Sequence, residues 1–146
     1  MNNQPIAVAI AILYQQGRFL LQLRDDIPGI LYPGHWGLFG GHIESGETPD
    51  EALRRELVEE INYSVSEARK FRCYSNAGVI RHVYHSPLRV AIDELILKEG
   101  WDLDLVTAND IRLGSCYSQK AAQIRPLGTP HQQILLDFIE TKLWED

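Results

Sequence analysis

The run Gly40–Tyr63, GGHIESGETPDEALRRELVEEINY, constrains the fold more than any other stretch, because it specifies both ends and both faces of one helix. Thr48 is placed to be the N-cap, Pro49 fits the first helical position, and Glu51 stands three residues past the cap to complete a capping box. Asn62 follows the last periodic residue and tolerates the left-handed backbone in which helices often end. At about 100° per residue, Leu53, Leu57 and Ile61 form one apolar stripe, and Glu56, Glu59 and Glu60 fall on an adjoining arc. The helix therefore has a core face and a carboxylate face.

Charge concentrates on the same stretch. From Glu44 to Glu60, seven acids stand against two arginines, which is five of the chain's six excess negative charges. Like charges one helical turn apart cost about 0.2–0.5 kcal/mol per pair, so the cluster calls for a neutralising cation. Glu56 and Glu60 lie one turn apart with Glu59 beside them, close enough to converge on one small volume. Oxygen ligands grouped in this way suit a hard divalent ion, Mg²⁺ or Mn²⁺, with a solvated acidic face as the alternative.

The remainder of the chain supplies strands. With 146 residues, 45% of them hydrophobic, residues 1–146 fit a single domain that folds without disulfides. Cys73 and Cys116 lack metal-site spacing and read as ordinary buried or semi-buried thiols. The apolar run Ile6–Leu13 has no basic leader or cleavage site and is too short to span a membrane, so a cytoplasmic protein is expected. A net charge of −6 argues against a general nucleic-acid surface, although a nucleotide held through a metal ion stays open. Pro5–Arg24 reads as two strands joined by a tight turn, the first apolar on both faces and so central in its sheet. Asp25–Gly34 is a Pro/Gly-punctuated loop, either functional or a plain connection.

Ala68–Ala77 and Val79–Leu88 read as a further strand pair, and Asp93–Glu99 as a strand. Thr107–Leu113 is expected to form a short helix ended by Gly114. Ser115–Pro126 reads as a surface loop whose Lys120 and Arg125 face water or an anionic ligand. A last helix starts at Thr129-Pro130 with a capping box to Gln132 and runs to about Trp144. Ile134, Leu135, Phe138, Ile139 and Leu143 form its buried stripe.

From Gly41 the spacing is five residues to Glu47, seven more to Arg55-Glu56-Leu57, one to Glu59-Glu60, and one to Asn62-Tyr63. This resembles the Nudix box, G-x5-E-x7-R-E-U-x-E-E-x-G-U, where U is apolar or aromatic. Only the final glycine differs, as Asn62, and Asn can adopt the backbone conformation that glycine supplies. Trp36–Gly41 also looks like the W-x-x-P-G-G lead-in of many members, with Phe39 in the proline's place, and Ile43–Thr48 fits as well. The resemblance is tight over Trp36–Tyr63 and loose elsewhere.

The resemblance implies an α/β fold, a Nudix-type α/β/α sandwich with a mixed β-sheet between helices. It implies a pyrophosphohydrolase acting on a nucleoside diphosphate linked to another moiety, such as an NDP-sugar, ADP-ribose or a (d)NTP. Mg²⁺ or Mn²⁺ would be the cofactor. Glu56, Glu59, Glu60 and the Gly41 carbonyl would be the metal ligands, with Glu47 and Arg55 holding the loop and the glutamates. Glu56 is the first choice as general base and Glu99 the downstream candidate, ahead of Asp102 and Asp104.

Trp36, Tyr32, Phe39, Tyr84 and Trp101 are candidates to stack on a base or to fill the core. His42 could approach a phosphate. His82 and His85 fall on opposite strand faces and so should not share a metal. The competing reading is a non-catalytic Nudix-fold nucleotide-binding or regulatory domain, although such domains usually lose box carboxylates. An isomerase acting on an isoprenoid diphosphate is a third. The oligomeric state is open, a homodimer included, and so is the identity of the diphosphate substrate.

Overall fold

The computed structural model describes residues 4–145. Strand β1 (Ile6–Gln15) runs through the middle, as its two apolar faces require. It pairs antiparallel with β2 (Arg18–Leu23) at one end and with β4 (Phe39–His42) along Val8–Ala11, and parallel with β6 (Val79–Pro87) from Ile6 to Tyr14. The β1–β2 turn uses Gln16 and Gly17, both at positive φ, the backbone that a two-residue hairpin turn needs. β3 (Trp36–Gly37) and β7 (Asp102–Thr107) pair with β2, and β5 (Arg69–Asn76) closes the other edge on β6. The result is a mixed seven-stranded sheet.

Alternation along β1 divides the core. Ala9, Ala11 and Leu13 face one side with Leu20, Phe39, Leu53, Leu57 and Ile61. Ile10, Ile12 and Tyr14 face the other with Ile111, Ile134, Leu135, Phe138 and Ile139. Helix α1 (Pro49–Ile61) therefore covers one face, and α2 (Ala108–Leu113) and α3 (Thr129–Thr141) cover the other. The architecture is the expected α/β/α sandwich. Among the described residues no helix is long and apolar enough to cross a membrane.

Helix α1 has the ends its sequence specifies. The Thr48 side chain accepts from the Glu51 N–H, the Glu51 carboxylate accepts from the Thr48 N–H, and Asn62 is left-handed at φ 55°. Because alanine keeps the Cβ strain of that conformation and loses the short polar side chain by which asparagine offsets it, Asn62→Ala is expected to lower stability by up to about 1 kcal/mol. Asn62→Gly should preserve or raise it, and equal urea midpoints for the two variants would refute this account of the helix end.

Four expectations about helices and strands fail locally. Asp93–Glu99 is not a strand: a 3-10 turn at Ile92–Glu94 leads into chain whose N–H groups donate to the end of α1, Ile96 to the Ile61 carbonyl and Lys98 to the Glu60 carbonyl. Ser115–Pro126 is not a loop but a hairpin of β8 (Ser115–Ser118) and β9 (Gln123–Pro126). The α3 capping box does not form, because the N-cap is Gly128 and the Gln132 amide donates to the Ile111 carbonyl. The helix also ends at Thr141, with Leu143 exposed. The two cysteines are free, as expected; Cys116 is half-buried, whereas Cys73 is exposed on edge strand β5 and not buried or semi-buried.

Candidate active site

Two glycines on β4 let α1 press its carboxylates against the sheet. A Cβ on Gly40 would strike the Ala9 carbonyl, and one on Gly41 would lie 2.6 Å from the Glu56 carboxyl carbon. With neither present, the Gly40 N–H donates to Glu60 Oε1 at 2.9 Å, and the Gln22 amide approaches Oε2 at 3.5 Å. Glu60 is only 8% exposed. Burial pushes its pKa up to about 8, the charges of Glu56 and Glu99 add to the rise, and the hydrogen bonds from Gly40 and Gln22 oppose it.

Arg55 answers much of the charge problem. Its Nε and Nη2 donate to the two oxygens of Glu47 at 2.7 and 3.0 Å, its Nη1 to Glu56 at 2.9 Å and Glu59 at 3.2 Å, and its Nη2 also to the His42 carbonyl at 3.0 Å. Glu44 lies 3.8 Å from Nη1. One guanidinium thus ties the loop before α1 to two turns of the helix. Its pKa is raised further above the ordinary arginine value, chiefly by the Glu47 contact.

Glu56, Glu60 and Glu99 line a single cleft of about 540 Å³. Glu99 reaches it because the preceding chain is bonded to the C-terminal end of α1. Glu59 does not line the cleft; its exposed carboxylate lies on Arg55 instead. Among the described residues no three acids, histidines or cysteines stand together as a ready-made metal cage. The site nonetheless suits a hard cation in two respects: a buried carboxylate lacks a positive partner of its own, and Glu56 rests against a glycine where a side chain would displace it.

Other candidates separate clearly. Asp102 is buried and accepts from the Ser118 hydroxyl at 2.7 Å, and neither it nor Asp104 lines the cleft. Phe39 and Tyr84 are core residues packed with α1. Trp36 and Tyr32 border the cleft, as does the Gly29–Tyr32 part of the Asp25–Gly34 loop, whereas Trp101 lies under the Arg125 guanidinium. Arg125 faces neither water nor a ligand alone: its Nε donates to the Gly34 carbonyl at 2.8 Å and fastens the β8–β9 hairpin to that loop. His42 lines the cleft, and His85 is bonded to the Tyr14 hydroxyl.

Sequence reasoning missed three cleft residues, Arg24, Arg81 and His131. Arg24 follows β2, Arg81 lies on β6 and His131 on α3, and no local spacing links them. His131 Nδ1 accepts the Leu38 N–H at 2.7 Å, and burial together with the charges of Arg81 and Arg24 pushes its pKa down to about 4. The ring is neutral, with its proton on Nε2.

The Nudix domain family model matches residues 3–107, most of the chain. The chain belongs to the Nudix family. It is 43% identical over 54 residues to the nucleoside triphosphatase NudI of Escherichia coli, a match covering 37% of this chain and 38% of that protein. The match thus spans well under half the length of this curated relative. The whole fold is similar to a MutT Nudix hydrolase from Burkholderia pseudomallei, with a TM-score of 0.72 at 22% identity over 92% of this chain and 97% of that one. It is also similar to a MutT protein from Methanosarcina mazei, with a TM-score of 0.71 at 19% identity over 98% and 99%. The Nudix box thus sits in the fold its relatives share, with Glu56 and Glu60 turned into the cleft.

Proposed function

We propose that this Nudix protein is a divalent-cation-dependent pyrophosphohydrolase that cleaves a nucleoside diphosphate linked to another group. The observation that carries the reading is the convergence of Glu56, buried Glu60 and Glu99 on one cleft. Glu56, Glu60 and the Gly41 carbonyl would hold Mg²⁺ or Mn²⁺, with Glu59 joining them on release from Arg55. A cation bound there would supply Lewis-acid chemistry, withdrawing charge from phosphorus and neutralising the leaving phosphate.

The chain's own residues divide the remaining work. Arg55 and Glu47 fix the glutamates, Gly40 orients Glu60, and Glu99 takes the proton of the attacking water. Glu99 suits that role because its side chain is exposed in the cleft and no salt bridge engages it among the described residues. Glu56, in contrast, is held by Arg55. The reading keeps a cytoplasmic location, in line with two free cysteines.

A hydrolysis screen of NDP-sugars, ADP-ribose, (d)NTPs and dinucleoside polyphosphates, with and without Mg²⁺ or Mn²⁺, tests the reaction class. Turnover of at least one compound only when metal is present is expected; binding without turnover across the panel would favour a regulatory domain. Glu99→Gln should lower kcat by about 10²–10⁴-fold and leave the metal concentration for half-maximal activity unchanged. A shift in that concentration with kcat preserved would make Glu99 a ligand instead of the base.

A further inference from the structure

The cleft also holds two arginines to which the diphosphate chemistry above assigns no role and which are not among the groups acting on Glu60. Arg81 is 7% exposed and Arg24 Nε is buried without a hydrogen-bond partner. Neither guanidinium forms a salt bridge among the described residues. Both line the cleft, and both charges act on the ring of His131. Buried charges without partners are costly and are seldom left so unless a ligand completes them.

Two further features raise the positive potential there. Gly128, the N-cap of the 13-residue α3, borders the cleft and provides no side chain to cap the helix, so the positive end of its dipole adds to the potential there. His131, held neutral with Nδ1 already accepting from Leu38, retains Nε2–H as a donor. Ile6, Val8 and Val79 supply an apolar wall beside these groups, in which charge-assisted bonds are weakly screened.

We propose that Arg24 and Arg81 form an anion-binding subsite for a phosphate or carboxylate group of the substrate that is remote from the scissile diphosphate. A carbonyl edge of a nucleobase would offer hydrogen bonds but would leave the charges of buried Arg81 and half-buried Arg24 uncompensated, so an anionic group fits better. The choice of substrate rests on the hydrolase reading above, whereas the subsite itself does not. Substrates with an acidic or phosphorylated group at the far end would then be preferred over neutral ones.

The test uses metal-free protein in EDTA, titrated with inorganic phosphate, malonate, and the neutral nucleosides uridine and guanosine, with thermal unfolding and calorimetry as readouts. Phosphate or malonate should raise the Tm of the wild type, the stronger of the two naming the anion class. Arg24→Gln and Arg81→Gln should weaken that binding by roughly tenfold or more, and Glu56→Gln should retain it. Without ligand, Arg81→Gln should match or exceed the wild-type Tm, since it removes a buried charge. Equal anion binding in all variants, a lower ligand-free Tm for Arg81→Gln, or arginine-dependent binding of the nucleosides in place of the anions would each overturn the subsite. Arginine-dependent anion binding with no turnover in the screen would defeat the hydrolase reading alone, and turnover without it would defeat the subsite alone.

Discussion

Glu60→Gln is expected to abolish metal-dependent hydrolysis and at the same time to stabilise the metal-free protein near pH 8. The two effects share one cause. Glu60 is buried, and its pKa is raised to about 8 against an ordinary value of 4.5. A carboxyl whose folded-state pKa is raised gives stability that is present below pH 4.5 and is lost as pH rises through 8, because the folded protein keeps a proton that the unfolded chain releases. Glutamine stays neutral throughout. The variant's advantage should therefore be absent at pH 4.5, grow across the window to pH 8 and amount there to a few kcal/mol, at about 1.4 kcal/mol per pKa unit.

Saturating Mg²⁺ should reverse the order, raising the wild-type Tm and leaving the variant unmoved. Thermal unfolding at pH 4.5, 6 and 8, with EDTA or with Mg²⁺, checks each part. A stability gap that does not change with pH would show that Glu60 is not a buried acid awaiting a cation. Preserved turnover would remove it from the ligand set.

Local chemistry decided which parts of this molecule could be read from its sequence. The α1 boundaries depend on Thr48, Glu51 and Asn62 acting on their own neighbours, and they form as read. The central position of β1 follows from apolar residues on both its faces. The β8–β9 hairpin escaped because Tyr117 and Ile124 are exposed and its turn uses Ala122 at positive φ where a glycine would have marked it. The segment before Glu99 has strand-like composition, but its N–H groups are taken by the end of α1, a partner some 35 residues away. The same long-range tie brings Glu99 to the cleft. Arg24, Arg81 and His131 were invisible for a related reason: the chain just past β2, strand β6 and helix α3 meet only through the tertiary fold. The carboxylates of the cleft were thus legible as a motif, and its arginines were not.

Arg55 is the position at which a conservative change should cost most. Its planar guanidinium bridges Glu47, Glu56, Glu59 and the His42 carbonyl at once, and a lysine ammonium cannot span that set. Arg55→Lys should keep the charge and lose the geometry, lowering kcat/KM by about 10²-fold through misplacement of Glu56, and Arg55→Ala should lower it further. Acid titration separates the structural share of this effect. The Arg55 contact, followed by the Glu44 N–H, holds the Glu47 pKa below its ordinary 4.5, so that contribution to stability is present above pH 4.5 and disappears as pH falls through the depressed value. The difference in urea midpoint between wild type and Arg55→Ala should accordingly be largest near neutral pH and shrink under acid. A gap that persists at pH 2–3 would mean that Arg55 acts through packing of its stem, and full activity in Arg55→Lys would mean that charge alone, without the fork, keeps the glutamates in register.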